Sequence, residues 1–334
     1  EALQEAQLTG RILNSSDQLQ SDYDGEVLIR VFDSSASTDL DGLAYRQLGA
    51  PIFRGVAQVE AGVFSATFRV PKDITYRAKL GRASAYAVPT SGGSVDATGT
   101  LDMSPAFGSK SGIVLQGTAS GIEEDAIGPQ IEIGFHDQTG FTEGDFISSQ
   151  PVLAAILTDP SGINIAGETG HEIELEVDDV VSVVTNRYTS QDGDYRRGLL
   201  EVPLPALEPG EHSIRLKAWD SYNNSTTVRT TVRVAEAADA ALSDVLFHPN
   251  PSTDGSGHFT YILSAPATAA RLRVFTLSGR LVDQNDVDAG FGYNQVAFHP
   301  PVSLAGGTYL YRLEVDLEEG PKIDADGRLQ VVPQ

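Results

Sequence analysis

Apolar and polar residues alternate with a period of two along most of the chain. Clear examples are residues 27–31, 63–70, 212–218 and 228–234. Because successive side chains of a strand point to opposite faces of a sheet, each segment predicts a half-buried β-strand. We find no convincing stretch with the three-and-four spacing of an amphipathic helix. The pattern predicts an all-β protein with little or no helix.

Turn-forming pairs such as Asp24-Gly25 and Pro209-Gly210 separate these segments at the spacing typical of antiparallel β-sandwiches. A chain of 334 residues is too long for one such domain. The composition changes near residues 103–128 and again in the alanine-rich residues 235–241. We therefore predict three tandem antiparallel, immunoglobulin-like β-sandwiches at residues 1–122, 123–236 and 237–334.

The charge and the cysteine count exclude several functions. The chain has 46 acidic and 23 basic residues, for a formal charge of −23, which argues against a nucleic-acid partner. It contains no cysteine, so a disulfide, a thiolate metal site and a cysteine nucleophile are excluded within it. No apolar stretch has the length of a transmembrane helix. The first residues, from Glu1, lack a leader pattern, and we interpret the chain as a fragment or a processed mature protein.

Two histidines are candidates for chemistry. His171-Glu172 resembles the start of a helical zinc motif, but that motif needs a second histidine at position 175, where this chain has Leu175. We interpret His171 as a half-exposed strand residue. His212 is either a general base or, as we favour, a partly buried imidazole bonded to a loop carbonyl. No serine lies in a nucleophile elbow. We therefore assign no catalytic residue and expect no reaction from this chain.

Two aspartate-rich segments raise the possibility of calcium. Residues 39–42 and 324–327 resemble the middle of a calcium loop, but its twelfth position would fall on Leu48 and Pro333, which cannot supply a carboxylate. We interpret both segments as Asp-Gly turns. Calcium in an irregular loop stays possible, with no ligand assigned, and no other cofactor is expected.

Asp220 and Trp219 stand at the end of a predicted strand. Asp220 has the parity of the inward-facing residues, so its carboxylate can accept N–H groups of the following turn and pin it, with Asn224 in a left-handed conformation. Trp219 points the other way, among Arg215 and Lys217. A large aromatic ring on a polar face is either a packing surface for a neighbouring domain, which we favour, or a ligand platform.

One strand of the third predicted domain has a distinct core face. In residues 308–314, Tyr309, Tyr311 and Leu313 share one side. We predict that this side faces the core, with residues 272–274 or 329–331 as the antiparallel partner.

A series of sequence blocks runs through residues 24–234 and into the third predicted domain. The blocks are Asp24-Gly25-Glu26-Val27, Ile52-Phe53-Arg54-Gly55, Gly62-Val63-Phe64-Ser65, residues 68–74, Tyr86-Ala87, residues 96–99, 151–154 and 157–164, Gly170-His171-Glu172-Ile173, residues 210–224, Pro249-Asn250-Pro251, residues 272–275 and 278–282, Gly307-Thr308-Tyr309 and residues 327–332. In order and spacing they resemble the carboxy-terminal, non-catalytic part of the gingipain-like cysteine peptidases of bacterial type IX secretion, in particular the PorU-type outer-membrane sortases. The pairing of residues 161–164 with Gly170-His171 is the most specific part.

The resemblance implies a non-catalytic structural and interaction region of a larger secreted or outer-membrane protein. In that family a cysteine and a histidine upstream of these blocks carry catalysis, and no residue here matches them. The implied partners are the upstream peptidase domain of the same protein and components of the secretion system or outer membrane, at the cell surface. The alternative is a calcium- or glycan-binding accessory region of another secreted hydrolase or adhesin, which Trp219 and the Asp-Gly segments would support.

Overall fold

The computed structural model shows a protein built almost entirely of β-strands. It describes residues 1–41, 43–47, 49–75, 80–90, 104–136, 140–167, 170–234, 242–287, 289–300, 304–318 and 320–332. Within these residues the helical structure is a single short 3₁₀ helix, Thr185–Arg187. The predicted all-β class with little or no helix is therefore confirmed. No helix in the described residues has the length and apolar character needed to cross a membrane.

The strands are numbered here in chain order. The first eight are β1 (Glu5–Arg11), β2 (Gly25–Phe32), β3 (Ala36–Leu40), β4 (Leu43–Gln47), β5 (Pro51–Glu60), β6 (Val63–Arg69), β7 (Leu80–Pro89) and β8 (Ala106–Val114). The next eight are β9 (Gln130–Phe135), β10 (Val152–Thr158), β11 (Glu174–Val177), β12 (Val180–Val183), β13 (Tyr188–Ser190), β14 (Arg197–Pro203), β15 (Gly210–Trp219) and β16 (Ser225–Val234). The last seven are β17 (Leu242–His248), β18 (Gly257–Leu263), β19 (Ala267–Thr276), β20 (Leu281–Val287), β21 (Gly292–Phe298), β22 (Gly307–Leu317) and β23 (Ile323–Val331).

These strands form several separate sheets. The largest has the order β8-β7-β2-β5-β13-β14-β10-β9, with β6 and β1 joined to it through β5. Four-stranded sheets have the orders β12-β11-β15-β16 and β20-β19-β22-β23, and a three-stranded sheet has the order β17-β18-β21. Pairing is antiparallel in most of the ladders, whereas β5 and β13 pair in parallel at Gly55 and Ser190.

The chain divides into two compact units by its contacts. Unit 1 comprises Glu1–Glu132, Ala155–Val202 and Arg215–Arg229, and unit 2 comprises Ile133–Ala154, Pro203–Ile214 and Thr230–Gln334. The predicted connector at residues 235–241 lies outside the described residues. The three predicted domain ranges remain predictions.

Each unit has an apolar core supplied by the inward faces of its strands. In unit 1 the alternation of β2 buries Val27, Ile29 and Val31 completely. In unit 2 the predicted core face of β22 is present, since Tyr311 and Leu313 are buried and Tyr309 packs against the same cluster. Both suggested partner strands flank β22, with β19 on one side and β23 on the other.

The two Asp-Gly segments differ in structure. Strands β3 and β4 pair up to Leu40 and Leu43, and Asp41 between them has a φ of 53°, typical of a tight hairpin turn. Gly42 and Leu48 lie outside the described residues.

The turn expected at residues 324–327 is wrong, because the whole segment belongs to β23. Asp326 accepts two hydrogen bonds from Arg312 on β22, at 2.6 and 2.7 Å. Gly327 lies opposite Tyr311, where the absence of a side chain leaves room for the ring. The glycine therefore serves packing between strands, not chain reversal.

Gly327→Ala should destabilise unit 2. A methyl group at this position would overlap the Tyr311 ring, which is buried and donates its hydroxyl to the carbonyl of Val245 at 2.8 Å. Such overpacking costs about 1–3 kcal/mol, which chemical denaturation would measure. Gly108→Ala is the matched control, because a methyl group there meets nothing within 4 Å. Equal stability of the two variants would contradict the packing role of Gly327.

Candidate functional site

Buried polar side chains concentrate in unit 1 where several loops meet. The loops are residues 159–164 after β10, residues 170–173 before β11, and the turn 220–224 between β15 and β16. Asn164 and Asp220 are each 0% exposed and Asp159 is 2% exposed. Because buried polar groups cost free energy unless they are paired, their partners decide what this region can do.

Asp220 closes the turn between β15 and β16. Its Oδ1 accepts the N–H groups of Tyr222 at 2.9 Å and Asn224 at 2.7 Å, and its Oδ2 accepts the Asn224 side-chain amide at 2.8 Å. The backbone of Asp220 also pairs with that of Asn223 and Asn224, as in a three-residue hairpin loop.

The left-handed residue of this turn is Asn223, with a φ of 72°, and the expectation of Asn224 in that conformation is wrong. In a three-residue loop the left-handed position is the last loop residue. Asn224 is the first residue after the loop, and its backbone oxygen accepts the N–H of Asp220 at 2.9 Å.

Three carboxylates form a compact group, here named the aspartate cluster: Asp125, Asp159 and Asp220. One oxygen of each lies within 4.8 Å of the others. Ser161 bridges two of them, because its hydroxyl donates to Asp125 Oδ2 and its N–H donates to Asp159 Oδ1 at 2.6 Å. The cluster joins a segment preceding β9 to the loop after β10 and the turn after β15.

Burial raises the pKa of two members of the aspartate cluster, Asp159 and Asp220. For Asp159 burial is the largest cause and the charges of Asp220 and Asp125 act in the same direction, so its pKa is raised to about 7 although the N–H of Ser161 opposes the shift. Burial also raises the pKa of Asp220, although the amide groups of Asn224 and Tyr222 oppose the shift. Protonation of a carboxylate, or a bound cation, would relieve the repulsion between the carboxylates of the cluster.

The aspartate cluster has donors suited to a hard cation. Calcium binds carboxylate oxygens at about 2.3–2.6 Å, so two of its ligand oxygens lie at most about 5 Å apart. The three carboxylates of the cluster meet this limit. Among the described residues of unit 1, these three could hold Ca²⁺.

A second group, here named the asparagine network, adjoins the cluster and comprises Asp73, Asn164, His171 and Asn223. The Asn164 amide donates to Asp73 Oδ2 at 2.9 Å and to Asn223 Oδ1 at 3.1 Å, and the Asn223 amide donates to Asp73 Oδ1 at 2.8 Å. His171 Nδ1 lies 2.6 Å from Asp73 Oδ2. One carboxylate therefore serves three side chains, two from the connection between β10 and β11 and one from the turn between β15 and β16.

Backbone hydrogen bonds hold the same loops in register. The N–H of Lys72 donates to the carbonyl of Ser221 at 2.9 Å, and the N–H of Ser221 donates to the carbonyl of Gly162 at 2.9 Å. The N–H of Asn164 donates to the carbonyl of Trp219 at 2.8 Å. The segment after β6 is thereby fixed to the loop after β10 and to the end of β15.

Trp219 lies at the edge of the asparagine network. Its ring centroid is 4.6 Å from that of His171, and Lys217 Nζ lies 4.4 Å from the ring. Its indole N–H is buried and has no hydrogen-bond partner in the described residues. Arg215, on the same face of β15, pairs with Glu176. The ring is half-buried between a histidine and an ammonium group.

The two candidate histidines have different surroundings. His171 lies in a loop and not on a strand, because β11 begins only at Glu174. Its side chain is bound to Asp73, and a carboxylate partner holds the imidazole in place. His212 Nε2 lies 2.6 Å from the carbonyl of Glu208, which agrees with the interpretation of an imidazole bonded to a loop carbonyl.

Sequence reasoning did not assign Asp73, Asp125, Asp159 or Asn164. Each lies in a connection between strands, where an isolated Asp or Asn is ordinarily interpreted as a turn residue. Asp73, Asp159 and Asn164 lie within the sequence blocks that resemble the peptidase family, and this position is the signal that could have identified them as candidates.

The fold and this site define an all-β protein of antiparallel β-sandwich type with a buried polar junction in unit 1. No protein-family model and no curated protein matches the chain. Among solved structures the chain is similar to dimeric latent PorU from Porphyromonas gingivalis, with 26% identity over 100% of this chain and a TM-score of 0.41. The chain spans 32% of the PorU chain, about a third of its length.

Two further solved structures are similar at lower identity. One is a tetra-tandem repeat from the extending region of a large adhesion protein, with 16% identity, 99% of this chain and 71% of that chain covered, and a TM-score of 0.26. The other is SGBP-B of the Bacteroides ovatus mixed-linkage glucan utilization locus, in complex with a mixed-linkage heptasaccharide. It has 13% identity, 98% and 64% of the two chains covered, and a TM-score of 0.28.

Asp220→Ala should lower the free energy of unfolding of unit 1 by about 1–3 kcal/mol, because it strands the N–H groups of Tyr222 and Asn224. Asp220→Asn is the control: it keeps an oxygen acceptor and removes the charge, so its loss should be smaller. Urea denaturation measures both. An Ala variant as stable as the parent would show that the carboxylate does not hold the turn.

The stability of unit 1 should depend on the proton of Asp159. Its pKa is 3.8 in a free chain and about 7 when folded, so the folded state binds this proton more tightly. The stabilisation is therefore complete below pH 3.8 and is lost as the pH rises through about 7. Asp159→Asn should remove this decline, measured by urea denaturation in the presence of a chelator. An unchanged pH profile in the variant would assign the decline to other groups.

Proposed function

We propose that this chain is a non-catalytic structural and interaction region of a gingipain-like peptidase, of the PorU-type sortases of type IX secretion. In this role it positions an upstream peptidase domain at the outer-membrane surface. It also docks to partners of the secretion system or the outer membrane. The chain itself supplies no catalytic group.

The asparagine network is the observation that carries this proposal. Its members come from the blocks on which the family resemblance rests: Asp73 from residues 68–74, Asn164 from residues 157–164, His171 from residues 170–173 and Asn223 from residues 210–224. Asp73 lies 91, 98 and 150 residues before Asn164, His171 and Asn223 in sequence, yet its carboxylate binds all three side chains. The residues shared with the family thus support a rigid connection between strand groups.

The chemistry of the network favours a structural role over a catalytic one. His171 has a carboxylate partner, but that carboxylate also accepts two amide groups and the ring packs on Trp219. A base held in this way needs a nucleophile and a group that stabilises the developing charge before it can catalyse. The arrangement fits a connection that must stay fixed while an attached domain works.

Asp73→Ala tests the proposal because it removes the acceptor shared by Asn164, Asn223 and His171. In the isolated chain it should lower the free energy of unfolding by about 1–3 kcal/mol. In the full-length parent it should reduce surface display while the peptidase domain still cleaves a small peptide reporter.

Asp22→Ala, in an exposed turn, is the matched control and should change neither property. Normal surface display of the Asp73 variant would contradict the positioning role. Cleavage of peptide reporters by the isolated chain, lost in His171→Ala, would contradict its non-catalytic character.

Calcium binding is a second candidate function, which we infer from the aspartate cluster. Two nearly inaccessible carboxylates and a third within 4.8 Å match the oxygen donors and the spacing that Ca²⁺ requires. A cation bound to the folded state alone would stabilise unit 1 in proportion to its concentration.

Ca²⁺ should therefore raise the melting temperature of the chain, whereas Mg²⁺, which demands shorter and more regular ligation, should raise it less. At a concentration of about a hundred times the dissociation constant, the gain is about 2.7 kcal/mol. Asp125→Asn should abolish the shift, and Asp324→Asn, on an exposed strand of unit 2, should preserve it. An unchanged melting temperature of the unsubstituted chain in Ca²⁺ would rule out calcium binding.

A further inference from the structure

Strand β8 (Ala106–Val114) is an open sheet edge in the described residues of unit 1. It ends the order of the largest sheet and pairs there with β7 alone. Most of its residues are exposed, and Lys110 is its one charged residue. Edges that natural proteins protect carry several charges, a proline or a covering element. The backbone groups of β8 can therefore pair with another strand.

The inner face of β8 borders an apolar cleft of about 650 Å³. Small residues on the paired strands create it, since Ala87 lies opposite Ala106 and Ala85 lies opposite Gly108. Leu8, Ile12 and Phe64 also line the cleft and add apolar surface to it. The cleft is in the size range of ligand pockets and can receive side chains from an added strand.

The outer face of β8 borders a second groove of about 500 Å³. Phe107 lies opposite Tyr86 on this face and is 88% exposed. The two rings lie beside Ser84 and Ser109 in the same groove. Both faces of one open strand therefore offer apolar contact surface.

The charge around β8 is opposite to that of the chain as a whole. Arg11 and Lys110 line the inner cleft, and Arg30 and Arg82 line the outer groove. None of the described residues that line either space is acidic, although the chain has 46 acidic residues and a formal charge of −23. The surface is complementary to an acidic partner.

We propose that β8 binds an extended acidic peptide segment of a partner protein as an additional strand. Backbone hydrogen bonds to the open edge supply affinity, and alternate side chains enter the inner cleft and the outer groove. Acidic residues of the segment pair with Lys110, Arg11, Arg30 and Arg82. An open backbone edge favours a peptide over a glycan, because a glycan cannot continue the ladder of the sheet.

Fluorescence anisotropy with the full chain tests this proposal. The probe is a capped, labelled peptide of about ten residues that alternates valine and glutamate. We expect saturable binding of one peptide per chain. A peptide with lysine in place of glutamate, and one with prolines at its centre, should bind at least about ten-fold more weakly, because they lose charge complementarity and strand pairing respectively.

Gly108→Val is the decisive variant. A Cβ at Gly108 meets nothing within 4 Å, so the backbone has room for a valine, which would narrow the inner cleft. It should weaken binding at least about ten-fold while the melting temperature is unchanged or higher. Ser182→Val, on the exposed strand β12, is the matched control and should bind as the parent does.

Charge-reversal variants test the electrostatic part of the proposal independently. Lys110→Glu with Arg11→Glu should weaken binding of the glutamate peptide and strengthen binding of the lysine peptide, whereas Lys322→Glu in unit 2 should do neither. Parent chain that fails to bind the glutamate peptide would overturn the proposal. Binding of an acidic polysaccharide in place of the peptide would also overturn it. Sedimentation that shows a dimer, dissociated by Gly108→Val, would assign β8 to a second copy of this chain and overturn it as well.

Discussion

The structure of unit 1 depends on the need to pair polar side chains that it buries. Asn164 is completely buried, and an amide left without partners there would cost about 1–3 kcal/mol for each lost hydrogen bond. Asp73, in the segment after β6, supplies one acceptor for the Asn164 amide, and Asn223 Oδ1 supplies a second. The loops can adopt their observed positions only together, so the strand groups they connect are held in one arrangement.

Alternation in the sequence located strands such as β2, β15 and β22 because each has one face on an apolar core. It also indicated both neighbours of β22. The prediction from local sequence was wrong at residues 324–327, where the Asp-Gly pair indicated a turn and the structure has a strand. The partners that keep this segment extended, Arg312 and Tyr311, lie on another strand and could be recognised only from the register.

The candidate site was predictable only in part for the same reason. Asp220 could be placed by parity on its own strand, and its turn partners are near in sequence. Asp125 and Asp159 reach it from distant loops, and nothing local distinguishes them from solvated turn residues. A buried group of like charges is costly, so chains that keep one have a proton or a cation to neutralise it. The pKa of Asp159, raised to about 7, expresses this cost.

The parallel pairing of β5 with β13 has a consequence for the order of folding. Arg54 donates to the carbonyl of Tyr188 at 3.0 Å, across 134 residues of sequence. When a chain emerges amino end first, from a ribosome or through a translocation channel, β5 cannot pair with β13 until β13 has emerged as well. Until then β5 lacks its partner at Gly55, and contacts of such high sequence separation form slowly. This region therefore matures late, as one kinetic unit with the strands that follow it.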